Sequence, residues 1–225
     1  MTGMTIGVAM PADAPGQAAS TLHRSWERAW SGVGAHGSNH TLRDQLTACY
    51  AEPHRHYHTL QHLAECMVGL EGALHLEEHR GEVEMALWFH DAIYDVRRAD
   101  NEERSAEWAK DQLLSAGALP LVADRVYKLV MVTRHAALPQ APDECLLVDV
   151  DLSILGATPA RFAQYEAQVR QEYAWVPNEV FRSKRREILQ AFLARPTIYN
   201  TPHFHDALEL RARENLQSSI DGLAT

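Results

Sequence analysis

The chain has 225 residues, enough to bury a sizeable core in one large domain or two small ones. Apolar residues make up 46% and charged residues 23%, the composition of an ordinary globular protein. The formal net charge of −9 argues against a general nucleic-acid binder or a protein that binds anionic membranes. The negative net charge does not exclude a small phosphorylated substrate that binds at a local cationic site.

The three cysteines, Cys49, Cys66 and Cys145, have neither metal-ligand nor redox spacing. They predict reduced thiols and a cytoplasmic protein. No apolar run approaches the length of a membrane span, and residues 1–20 lack the features of a signal peptide. Because residues 1–20 are rich in Gly, Ala and Pro, we expect a flexible tail there. We expect a single helical domain over residues 21–225.

The remaining sequence predicts helix after helix. Short helices fit residues 21–31 and 41–50, and apolar residues three and four apart predict a third over residues 60–74. Residues 83–94 are apolar almost all round, which predicts a central helix. Two further helices are expected, one opened by the capping-box sequence DNEE at 100–103 and one over 120–135. Gly156 is expected to end the next helix, and Thr158-Pro159 to begin the one after it. The last two are expected between Pro177 and Pro196 and over 202–220.

The sequence HRHYHTLQH concentrates four histidines before and within the third helix. His58 and His62 are four residues apart, so they share a helix face. That face lies just outside the apolar stripe of the same helix, where a side chain lines a cleft beside the core.

The segment MALWFHDAIYD runs from an apolar helix into His90 and Asp91. Burying an imidazole and a carboxylate costs free energy unless both are paired. The same two letters recur as His205-Asp206 at the start of an amphipathic helix. There an Asp suits the free N–H groups, so we interpret the second pair as structural.

Asp149 and Asp151 stand in the apolar segment LLVDVDLSILG. Two carboxylates in such a segment need hydrogen-bond donors, cations or a metal. With the histidines they supply a mixed nitrogen and oxygen ligand set. That set favours Mn, Fe, Co, Ni or Zn, with Mg as a further option.

The order His58, His90-Asp91, Asp151 resembles the H…HD…D signature of the HD-domain superfamily of metal-dependent phosphohydrolases. The resemblance covers residues 50–216 and implies an all-α, compact multi-helix HD-domain-like bundle. It is carried by motifs similar to those of one bacterial branch: RHYHTLQHL, ALWFHDAIYD, NEERSA, TRHA, DVDLSILG and EYAWVPNEVFRSKRREIL.

The resemblance implies a metal site whose ligands are His58, His90, Asp91 and Asp151. His62, one turn deeper, is the alternative to the first histidine. Asp149 is the alternative to the last aspartate. The superfamily often has Asp-x-Leu at that position, whereas this chain has Asp151 directly before a leucine, so both registers stay open.

The implied activity is hydrolysis of a small phosphorylated metabolite, expected to be a nucleotide, by a metal-activated water. Asp91 would hold the metal and the water. His62, His135 and Asp95 would act as further catalytic groups, orient the ligands or bind a second ion. The candidates for binding phosphate are basic: Arg55, Lys128, Arg134 and, with less support, Arg185.

Two other functions remain open at this point. One is a pyrophosphohydrolase or phosphodiesterase that acts on a signalling nucleotide. The other is a non-catalytic module that binds a metal or ligand for regulation. No nucleic-acid polymer or membrane is expected as a partner, and a homo-oligomer could use Trp26 and Trp30 at its interface.

Overall fold

The computed structural model describes residues 15–223, which fold into ten α-helices and contain no strand. The predicted all-α architecture is confirmed. None of these helices is both long and apolar enough to cross a bilayer. The helices are α1 (Pro15–Gly32), α2 (His40–Cys49), α3 (Leu60–Glu71), α4 (Glu82–Phe89), α5 (Asn101–Ser115), α6 (Pro120–Val132), α7 (Pro142–Asp151), α8 (Pro159–Glu172), α9 (Asn178–Leu193) and α10 (Pro202–Gly222).

Several helix boundaries differ from the predicted ones. Helix α1 begins at Pro15, so residues 15–20 of the expected tail are helical, and residues 1–14 lie outside the described part of the chain. Helix α4 ends at Phe89 rather than at residue 94. The predicted cap of α8 forms, because the Thr158 hydroxyl accepts a hydrogen bond from the N–H of Arg161.

Helix α4 is the centre of the fold. All eight of its residues are buried, and it packs against α1, α3, α5, α6 and α7. Its two buried glutamates are paired, Glu82 with Arg125 and Glu84 with Arg28. Because this central helix ends at Phe89, the next residue, His90, also lies within the core.

Three tryptophans join α1 to α4. Trp26 stacks on Trp30 and meets Trp88 edge-on, with ring centroids 5.2 Å apart in both pairs. Trp26 and Trp30 are 0% and 2% exposed. The expectation that these two side chains line an interface between subunits is therefore wrong, because the core of the same chain covers them.

Candidate metal centre

Four side chains meet where three helices come together. His62 lies on α3, His90 and Asp91 follow the last residue of α4, and Asp151 is the last residue of α7. His90 Nε2 lies 3.0 Å from Asp91 Oδ2 and 3.6 Å from Asp151 Oδ1. His62 Nε2 lies 3.5 Å from Asp91 Oδ2 and 3.4 Å from Asp151 Oδ1. We call these four residues the ligand cluster.

The two imidazoles of the cluster point their Nε2 atoms at each other, 3.1 Å apart. The other nitrogen of His90, Nδ1, lies 2.7 Å from the carbonyl oxygen of Leu87, to which it donates. The neutral form of His90 therefore carries its proton on Nδ1 and turns the lone pair of Nε2 toward the carboxylates. Lone pairs and carboxylates this close repel one another unless a proton or a metal cation lies among them.

The surrounding charges shift the proton affinities of the cluster. Burial alone would lower the pKa of His90, but Asp91 and Asp151 hold that pKa well above its ordinary value. Burial alone would raise the pKa of Asp91 and of Asp151. The neighbouring histidines instead hold both well below the usual carboxyl range. The cluster thus has a strong demand for positive charge.

This donor set could hold a metal ion. His62, His90 and Asp151 each offer one ligand atom, all within 4.8 Å of one another, and Asp91 adds a second carboxylate beside them. The carbonyl partner of His90 Nδ1 is the kind of contact that orients a histidine ligand.

His58, the expected first ligand, lies beside the cluster rather than in it. Its Nδ1 atom is 2.8 Å from Oε2 of Glu172, at the end of α8. Its ring meets that of His62 edge-on, with centroids 5.9 Å apart. The alternative, His62, is the histidine that the structure brings to His90 and Asp91.

Asp149, the alternative to Asp151, faces away from the cluster. Its carboxylate accepts hydrogen bonds from the backbone N–H and side-chain amide of Asn200 and from the N–H and hydroxyl of Thr201. Four donors satisfy this fully buried carboxylate without a metal. As a metal ligand, Asp149 is therefore ruled out by its position.

His135 and Asp95 have different positions. His135 Nε2 lies 3.1 Å from Asp151 Oδ2, so His135 borders the cluster. Asp95 is exposed, and its carboxylate accepts from the backbone N–H of Arg97 within a turn. Because α4 has already ended at Phe89, none of the Asp95 contacts seen in residues 15–223 joins it to the ligand cluster.

Arg55 has a structural position instead of the expected phosphate-binding one. Its fully buried guanidinium donates to the carbonyl oxygens of Asp91, Ala92 and His58, and its Nε pairs with Glu52. Arg55 therefore fixes the backbone around the His90-Asp91 pair. Its hydrogen bonds are used for this purpose rather than for a ligand.

The other basic candidates lie elsewhere. Arg134 reaches Glu102 and Glu103, and Lys128 is exposed on α6. Arg185 is buried in an ion pair with Glu166, its guanidinium 5.0 Å from the ring centroid of Tyr165. None of the contacts seen in residues 15–223 joins these three side chains to the ligand cluster.

Glu172 and Tyr94 were not assigned from the sequence. Glu172 is fully buried, and Oε2 accepts from the Tyr94 hydroxyl at 2.8 Å as well as from His58. Burial alone would raise the pKa of Glu172, but His58 and the nearby N–H groups lower it to about 2. The only sequence signal was the glutamate of the motif EYAWVP, which no spacing rule links to a histidine 114 residues earlier.

The fold and this site together define an all-helical protein with a buried cluster of two histidines and two aspartates. Comparison of the chain with protein families, with curated proteins and with solved structures found no match in any of the three.

Proposed function

We propose that the protein is a metal-dependent phosphohydrolase of the HD-domain type, acting on a small phosphorylated metabolite such as a nucleotide. The observation that carries the proposal is the meeting of His62, His90, Asp91 and Asp151, with contacts of 3.0–3.6 Å between imidazole nitrogens and carboxylate oxygens. The order of these residues in the chain is also that of the H…HD…D signature.

The four cluster residues would hold a divalent transition metal. Such an ion lowers the pKa of a bound water and polarises a phosphoryl oxygen. The protein's contribution is to keep the ligands in place: Arg55 holds the carbonyl of Asp91, and Leu87 holds Nδ1 of His90. The core around α4 buries His62 and His90 almost completely, whereas the Asp91 and Asp151 side chains stay 18% and 13% exposed.

The proposal is tested by metal analysis and an activity screen on the same preparations. Protein loaded with Mn²⁺, Ni²⁺ or Fe²⁺ is offered nucleoside mono-, di- and triphosphates, and a phosphodiester separates the phosphodiesterase alternative. Asp91→Asn should lose bound metal and at least about a hundredfold of the activity, since a carboxylate ligand is removed.

The chain supplies a matched control in its second His-Asp pair. Asp206 is exposed on α10, and among residues 15–223 its carboxylate pairs with its neighbour His205 alone. Asp206→Asn should retain both metal and activity. Full activity in Asp91→Asn, or a wild-type protein that binds no stoichiometric metal, would refute the proposal.

A further inference from the structure

The segment before α3 is tied to α8 by one carboxylate. Oε1 of Glu172 accepts hydrogen bonds from the backbone N–H groups of His56, Tyr57 and His58, at 2.8, 2.8 and 3.0 Å. Oε2 accepts from His58 Nδ1 and from the Tyr94 hydroxyl, both at 2.8 Å. Five donors on one buried carboxylate are far more than a surface glutamate finds.

The position of Glu172 is costly for a carboxylate. It is the last residue of α8. The C-terminal end of a helix carries the negative end of the helix dipole and unpaired backbone carbonyl oxygens, both of which repel a carboxylate. Three backbone N–H groups would be enough to satisfy one of its oxygens. The second oxygen is used to orient a side chain, His58, next to the ligand cluster.

Two aromatic rings and Glu172 hold the His58 side chain in place. Its ring lies against Tyr94, with centroids 4.2 Å apart, and meets Tyr57 edge-on at 4.9 Å. It is 22% exposed, whereas the side chain of His62 behind it is 2% exposed. Within residues 15–223, Nε2 of His58 has no hydrogen-bond partner. His58 and His135 are equally exposed beside the cluster, but Nε2 of His135 pairs with Asp151. His58 is therefore the one of the two whose Nε2 is free to meet solvent or a substrate.

We propose that His58 binds the attacking water through Nε2 and that Glu172 is its positioning residue. This inference rests on the proposed function. Glu172 accepts the Nδ1 proton of His58, so the neutral ring has its free lone pair on Nε2. A water O–H donated to that lone pair turns the oxygen toward the phosphorus of a substrate at the cluster. His58 thus orients the reacting water without being a metal ligand.

Glu172→Gln gives the decisive comparison, read by ¹⁵N NMR of histidine-labelled, zinc-loaded protein at a pH where the ring is neutral. The amide oxygen can keep the three backbone N–H groups, and the amide nitrogen then faces His58. Because that NH₂ group donates, the His58 proton should move from Nδ1 to Nε2. His58→Gln identifies the resonance. A proton already on Nε2 in the wild type, or no change in Glu172→Gln, would overturn the inference.

Kinetics and metal content complete the test. Glu172→Gln and His58→Gln should lower kcat by about tenfold to a hundredfold with little change in KM and none in bound metal. His56→Ala is the control, because His56 is exposed and its backbone N–H to Glu172 remains. It should leave both the NMR signal and kcat unchanged.

The failures are distinguishable. Loss of metal in His58→Gln would show that His58 is a metal ligand. That result would overturn the inference about His58 but not the proposed function. Unchanged kcat in an active His58→Gln enzyme would do the same. A metal-loaded wild type that hydrolyses no phosphoester would overturn the proposed function and, with it, the role given to His58.

Discussion

Asp149 and Asp151 are two residues apart, and this spacing places their side chains on opposite faces of α7, where they have different roles. Residues two apart in a helix point about 200° away from each other, so only one of the two can face the cluster. Asp151 meets the histidines, whereas Asp149 accepts four hydrogen bonds from Asn200 and Thr201. One carboxylate therefore holds the α9–α10 connection, and the other belongs to the site.

We predict that Asp149→Ala lowers the free energy of unfolding by about 3 kcal/mol and leaves metal binding unchanged. The substitution leaves buried N–H and hydroxyl donors of Asn200 and Thr201 without an acceptor. Asp151→Ala should show the reverse pattern, with the metal lost. Denaturant unfolding and metal analysis of both variants measure the two effects. Loss of metal in Asp149→Ala would contradict the assignment.

Two of the residue assignments could not have been made from the sequence. The spacing predicts that His58 and His62 share a helix face, but α3 begins at Leu60, so His58 lies before the helix. The contact that holds His58 beside the cluster is with Glu172, more than a hundred residues later. Asp149 is distinguished from Asp151 by donors in the segment before α10. Periodicity identifies candidates within one helix, but long-range contacts decide which candidate enters the site.

At the scale of elements, the existence of the helices was predictable and some of their ends were not. The apolar run through residues 83–94 gave no sign that α4 stops at Phe89. The chain turns there because Arg55, from before α3, takes the carbonyl oxygens of Asp91 and Ala92. Helix caps formed between residues close in sequence, such as Thr158 before α8, were predictable because the donor and the acceptor are three residues apart.

The start of α4 depends on a close approach to α1. A Cβ added at Gly81 would lie 2.8 Å from Gly32 Cα and 3.0 Å from the carbonyl oxygen of Ala29, and Gly81 has a φ of +83°. Both the contact and the backbone angle require glycine. The two helices can therefore bring Trp26 and Trp88 together only because no side chain separates them at this point.

Gly81→Ala should accordingly lower the free energy of unfolding by about 3 kcal/mol, from left-handed backbone strain together with the clash. The matched control is Gly16→Ala, since a Cβ at Gly16 meets nothing within 4 Å. That substitution lies in α1 and should be neutral or slightly stabilising. Equal stabilities of the two variants in thermal or denaturant unfolding would show that the crossing tolerates a side chain.

For the molecule as a whole, the site and the core are parts of one structure. The four cluster residues come from α3, from the two positions that follow α4 and from α7, and α4 and α7 pack directly on each other. An unfolded chain cannot hold ligands 89 residues apart, from 62 to 151, in one arrangement. A metal that binds the cluster therefore binds the folded state and stabilises the entire helical assembly.

We predict that a divalent metal at about a hundred times its Kd stabilises the protein by about 2.7 kcal/mol. For a domain of this size that corresponds to a rise in Tm of about 5–10 °C, which a chelator should reverse. Asp91→Asn should abolish most of the rise, because the cluster loses an anionic ligand, while Asp206→Asn should keep it in full. If both variants kept the same rise in a thermal scan, the metal would be bound elsewhere on the fold, and the ligand cluster would owe its arrangement to protonated histidines alone.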